Sequence, residues 1–110
     1  MINELFISAL HSVDGLELFQ QQFNDYQNQC FPQRLPEFFC LELNGEAGEL
    51  ANLEKKLWKG VSIDKQKLED ETADVFIALI NYANTRKINL AESVKKKMEI
   101  IENKRSQNRC

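Results

Sequence analysis

An all-α fold, a bundle of four helices in one domain, is what the sequence predicts, and three observations carry it. Glycine and proline are scarce, with four and two copies in 110 residues. No run of β-branched residues reads as a strand. Apolar residues recur at three- and four-residue spacing in four stretches separated by short breaks. A chain of this length can close one core without disulfides. Its 43% hydrophobic and 28% charged residues belong to a globular protein rather than a disordered one.

The first helix is expected over about Gly15 to Gln29, where Leu16, Phe19, Phe23 and Tyr26 share a face. Residues 1–13 read as an N-terminal extension. Pro32 and Pro36 mark a break, and Pro36 suits the first position of a second helix, where its missing N–H costs little. That helix runs to about Lys59, with Gly60 as its stop. Asp64 is the expected N-cap of a third helix reaching about Arg86. The phrase Asn-Leu-Ala-Glu, 89–92, has the form of a capping box for a fourth helix, with Leu90, Val94, Met98 and Ile101 on one face. Residues 106–110 are expected to fray.

Bulk properties exclude several classes. A net charge of -3 does not favour a nucleic-acid polymer as partner. No apolar run approaches the ~20 residues that span a bilayer, so no membrane partner is expected. The N-terminus lacks the basic start and apolar stretch of a secretory signal, which makes a cytoplasmic location the expectation. Cys30, Cys40 and Cys110 form no paired spacing and are expected to be free thiols, two as small buried hydrophobes and Cys110 exposed in the tail.

The second helix poses a problem. With successive residues ~100° apart, Phe39, Leu43, Leu50, Leu53 and Leu57 all fall within about 60° of Glu46. A carboxylate thus lies in the middle of the apolar stripe, flanked on one side by Glu42 and Glu49, with Lys56 at the edge. Burying an unpaired carboxylate costs several kcal/mol or forces protonation, so a cation or a basic cluster is expected to compensate. On the third helix, Leu68, Thr72, Val75, Leu79 and Tyr82 make an apolar stripe, and Phe76, Ile77, Ile80 and Ala83 cover most of the rest. The narrow polar strip that remains holds Asp70, Glu71, Asp74 and Asn81. Taken alone, Glu71 and Asp74 could be an ordinary solvated pair. Two acidic pairs on consecutive antiparallel helices make a stronger joint case, and hard oxygen donors suit Mg²⁺ or Mn²⁺. A di-iron bundle would need Glu-x-x-His pairs; the single histidine, His11, lies outside these helices and reads as a surface residue. An all-carboxylate magnesium site points instead to phosphate chemistry.

Glu46-Ala47-Gly48-Glu49 followed by Glu71-Thr72-Ala73-Asp74, with Asn-Leu-Ala-Glu and a lysine-bearing last helix after them, resembles the MazG-like all-α nucleoside triphosphate pyrophosphohydrolases over most of residues 20–105. The resemblance implies a helical bundle that oligomerises through helix packing, as a homodimer or homotetramer, with the site near a subunit interface. It implies cleavage of a nucleoside triphosphate to the monophosphate and pyrophosphate in nucleotide-pool house-cleaning. Glu46, Glu49, Glu71 and Asp74 would hold Mg²⁺, or Mn²⁺ in its place, and Glu46 or Glu49 would act on the attacking water. Lys56, Lys97 and Arg105 would meet phosphate oxygens, the alternative being solvated side chains. Asn81 is the candidate for a base or sugar contact. Related dCTP-cleaving members carry a tryptophan nearer the second glutamate, where this chain has Lys56, and a tyrosine one turn after the metal aspartate, where it has Ala78. Trp58 and Phe31 each read as a packing residue or a base contact. The rival to the enzyme is a non-catalytic helical adaptor whose carboxylates pair with lysines across an interface.

Overall fold

The computed structural model describes residues 3–107. Among them are five α-helices: α1 (Glu4–Ser12), α2 (Asp14–Cys30), α3 (Pro36–Trp58), α4 (Lys65–Thr85) and α5 (Leu90–Ser106). The all-α class stands, and the four expected helices correspond to α2 to α5. No helix among the described residues is long and apolar enough to cross a membrane.

The extension at residues 1–13 is not featureless. Asn3 caps α1, its Oδ1 accepting from the backbone N–H of Leu5 at 2.8 Å and of Phe6 at 3.2 Å. Two orphan donors of the first turn are thereby satisfied. Only Val13 separates α1 from α2. At the other end α5 reaches Ser106; Cys110, expected as an exposed thiol, lies outside the described residues.

The helices fall into two compact units. In the first, α2 packs on α5 and α1 packs on both. Gln20 is the buried residue of α2, only 6% exposed, on the face it shares with Leu16 and Phe23. Its amide is used at both ends: Nε2 donates to the Ile88 carbonyl at 2.7 Å, and Oε1 accepts the Leu90 N–H at 3.0 Å. Asn89 caps α5, its Oδ1 accepting the Glu92 N–H at 3.1 Å, while its Nδ2 donates to Glu17 Oε1 at 3.1 Å. Lys95 pairs with Asp14. Phe19, Phe23, Tyr26 and Phe31 form a chain of tilted and edge-on ring contacts with centroids 5.4–5.8 Å apart.

The second unit, Pro32–Arg86, holds α3 and α4 packed along each other. Pro36 occupies the first turn of α3, as its lack of an N–H allows. The helix ends in a Schellman arrangement: Gly60 takes φ +88°, its N–H donates to the Leu57 carbonyl, and the Val61 N–H donates to that of Lys56, both at 2.9 Å. Asp64 precedes α4 in extended conformation, but its side chain makes no capping bond. Phe39, Ala78, Ile80 and Ala83 are buried. Leu43, Leu50, Leu53 and Leu57, the stripe around Glu46, are half-buried, as the spacing predicts.

The expectation for two cysteines needs correction. Cys30 and Cys40 are free but exposed rather than buried. Cys30 closes α2 and Cys40 lies one residue beyond Phe39, about 100° from that buried position. Phe76 and Ile77 are likewise 42% and 41% exposed on α4, so burial on that helix concentrates on Ala78, Ile80, Asn81 and Ala83.

Candidate functional site

Glu46 and Glu49 are one turn apart on α3, so both project from the same side of the helix. Glu71, in the second turn of α4, faces them. One carboxylate oxygen from each of Glu46, Glu49 and Glu71 lies within 4.8 Å of the other two. The antiparallel course of the two helices makes this meeting, because moving from Glu46 to Glu49 along α3 runs against the direction of α4.

The carboxylates are not equally wet. Glu49 is exposed, whereas Glu46 and Glu71 are half-buried. Oε2 of Glu46 and Oε2 of Glu71 are both shielded from solvent and have no hydrogen-bond partner. Such orphaned acceptors are uncommon in folded proteins and each calls for an explanation. The electrostatic response appears at Glu71, whose pKa is pushed up to about 7. The leading cause is Glu46, whose carboxylate would accept a hydrogen bond from a protonated Glu71. Desolvation and the charge of Glu49 add to it. One proton shared within the trio relieves like-charge repulsion.

Asp74, the fourth expected carboxylate, is exposed one turn beyond Glu71 and does not belong to this close group. Asn81 follows two turns later but is buried, 5% exposed. With Glu46 opposite Glu71, an antiparallel register puts position 81 near the level of Pro36, at the start of α3. The polar strip of α4 thus runs from an open end at Asp70 to a closed end at Asn81.

Next to the trio is a cleft of about 430 Å³ lined by Glu49, Asn52, Leu53 and Lys56 from α3 and by Lys67, Asp70 and Glu71 from α4. Lys56 therefore shares a cavity with two of the three glutamates. Asn52, three residues after Glu49, and Lys67, four before Glu71, were not singled out in the sequence. The helical spacing that selected Glu46 would have found them, since each lies on the face of the glutamate it follows or precedes. Trp58 closes α3 with 86% of its surface exposed, so it packs on little of this chain.

Lys97 and Arg105 belong to α5, in the other unit. Lys97 is exposed. Arg105 is engaged on its own helix: Nε donates to Glu102 Oε1 at 2.7 Å and Nη2 to Oε2 at 2.8 Å. This fork holds the Glu102 carboxyl below its usual range.

Compared with known protein families, curated proteins and solved structures, the chain matches none.

Proposed function

We propose that the protein is a Mg²⁺-dependent nucleoside triphosphate pyrophosphohydrolase, releasing a monophosphate and pyrophosphate in the cytoplasm as part of nucleotide-pool house-cleaning. One observation supports the reading above the others: two solvent-shielded, unpartnered carboxylate oxygens, on Glu46 and Glu71, in a trio completed by Glu49. Glu46 among leucines suits a metal site better than the rim salt bridge of an adaptor, and a hard divalent cation would complement these oxygens. The donor set is all oxygen, which suits Mg²⁺ or Mn²⁺ over softer metals. Glu46, Glu49 and Glu71 would hold the ion, with Asp74 joining from the next turn of α4. The cation would supply neutralisation of phosphate oxygens and acidification of water.

The chain's own groups supply the rest. Glu46 or Glu49 would orient the incoming water, and the exposure of Glu49 favours it for that role. Glu71 exchanges its proton near neutral pH while the ion is absent. Water then adds across one phosphoanhydride bond, its hydroxyl going to one phosphorus and its proton to the other product. The resemblance to MazG-like enzymes adds a homodimer or homotetramer, and the exposed Phe38, Leu41 and Trp58 of α3 support a further covering surface.

The test is hydrolysis of a broad panel of ribo- and deoxyribonucleoside triphosphates with Mg²⁺ or Mn²⁺, products resolved by chromatography. Stoichiometric monophosphate and pyrophosphate, lost in Glu46→Ala, is the expected result. No cleavage across the panel, with a melting temperature indifferent to divalent metal, overturns the enzyme and leaves the adaptor.

A further inference from the structure

The cleft beside the trio has two chemical ends. Glu49 and Glu71 mark one. Towards the α3–α4 connection the lining changes to Asn52, Lys56 and Lys67, with Asp70 between. Lys56 is two turns past Glu49 on α3, about 10 Å along the axis, and Lys67 is one turn before Glu71 on α4, about 6 Å. The two ammonium groups thus come from opposite walls and lie on the same side of the carboxylates. Three acidic groups line this cavity with them, yet neither lysine makes an ion pair or a side-chain hydrogen bond among the described residues. Lys67 also stands in the first turn of α4, which carries no acidic residue and whose Asp64 cap makes no side-chain bond. The volume is within the ordinary range for a small-molecule site.

We propose that Lys56 and Lys67 form a two-walled clamp for a linked diphosphate, the part of a nucleoside triphosphate that leaves as pyrophosphate. The assignment rests on the phosphohydrolase reading for its biological substrate, but the clamp is a binding site in its own right. Acidic groups at one end and free cations at the other suit a ligand that carries a divalent cation on one side and bare phosphate oxygens on the other. A carboxylate or monophosphate would fill one end only. Two point charges from different helices recognise a length of anion, so the clamp discriminates by the number of linked phosphates and is indifferent to the base.

Inorganic pyrophosphate is the probe, titrated calorimetrically into the full chain with Mg²⁺, beside orthophosphate as the shorter control. The variants are Lys56→Gln, Lys67→Gln and Lys67→Arg, each checked for an unchanged helical signal and melting curve. The expected result is that wild type binds pyrophosphate more tightly than orthophosphate. Each glutamine variant weakens pyrophosphate at least tenfold and orthophosphate less, and arginine at 67 restores most of the loss. Where hydrolysis is measurable, the glutamine variants raise KM and relieve pyrophosphate product inhibition more than they lower kcat. Wild-type failure to bind pyrophosphate, or glutamine variants that bind it as wild type does, overturns the clamp. Lysine-dependent pyrophosphate binding without cleavage of any nucleotide upholds the clamp and removes the phosphohydrolase reading instead.

Discussion

The two units treat buried polar groups in opposite ways. In the unit of α1, α2 and α5, Gln20 is buried and both ends of its amide are bonded, tying α2 to Ile88 and Leu90 at the start of α5. In the α3–α4 unit, Glu46 and Glu71 carry shielded oxygens with no partner. A satisfied buried amide holds a structure together, whereas the half-buried carboxylates of Glu46 and Glu71 are relieved by a proton on Glu71. Under the proposed function, the difference is that between scaffold and candidate site.

That contrast can be broken in several places. The largest effect is expected at the trio: Glu46→Ala should lower nucleotide turnover by more than about 100-fold, above the range for groups that only support a metal ligand. Steady-state kinetics at saturating Mg²⁺ measures it, and retained activity would make the orphaned oxygens an incidental feature. Second is Gln20→Leu, which strands the Ile88 carbonyl and the Leu90 N–H. A loss of about 2–6 kcal/mol is expected, since each of the two stranded groups costs about 1–3. Urea unfolding reads it, and a neutral result would erase the scaffold half of the comparison. Removing the α5 cap with Asn89→Ala should cost about 1 kcal/mol by the same measurement.

A pH series sharpens the other half. The folded protein holds the Glu71 proton up to about pH 7, whereas the free carboxyl releases it near 4.5. The folded state therefore binds more protons across that window, and its stability falls as pH rises through it. Metal-free protein should melt at progressively lower temperature from pH 4.5 to 7. Glu71→Gln should flatten the trend, and Mg²⁺ near pH 7 should bind with proton release. If the slope survives Glu71→Gln, it has another source. The smallest effect is at Gly48, between the two glutamates of α3. A Cβ built there meets nothing within 4 Å, so Gly48→Ala should stabilise the isolated chain by about 0.5–1 kcal/mol. Turnover that drops while stability rises would show that the vacant space is used by a ligand or a second chain.

Periodicity made much of this legible in the sequence. It located α2 to α5 to within a residue or two, because Pro36, Gly60, Asp64 and Asn89 each have a stereochemical reason to stand at a helix end. It put Glu46 within the leucines that half-bury it. What it missed were residues whose importance depends on a partner distant in sequence. Gln20 looks like one polar residue among several until Ile88 and Leu90 meet it. Lys67 looks like a solvated first-turn lysine until α3 brings Lys56 across the cleft. Helix α1 was missed for a local reason: Asn3 is a good cap, but the helix that follows has only nine residues, fewer than periodicity separates from chance. Asp74 shares the face of Glu71, yet helical spacing says nothing of how far apart two groups lie on facing helices.

The left-handed stop at Gly60 has one more consequence. It fixes where α3 ends, so the glutamates of α3 meet Glu71 by counting backwards from a pinned point. One residue inserted between Leu50 and Leu57 would swing Glu46 and Glu49 by about 100°, and seven would restore their heading to within about 20° but carry them about 10 Å along the axis from Glu71, so either insertion dismantles the trio. The number of residues between the glutamates and that stop is therefore fixed for as long as the trio is to form.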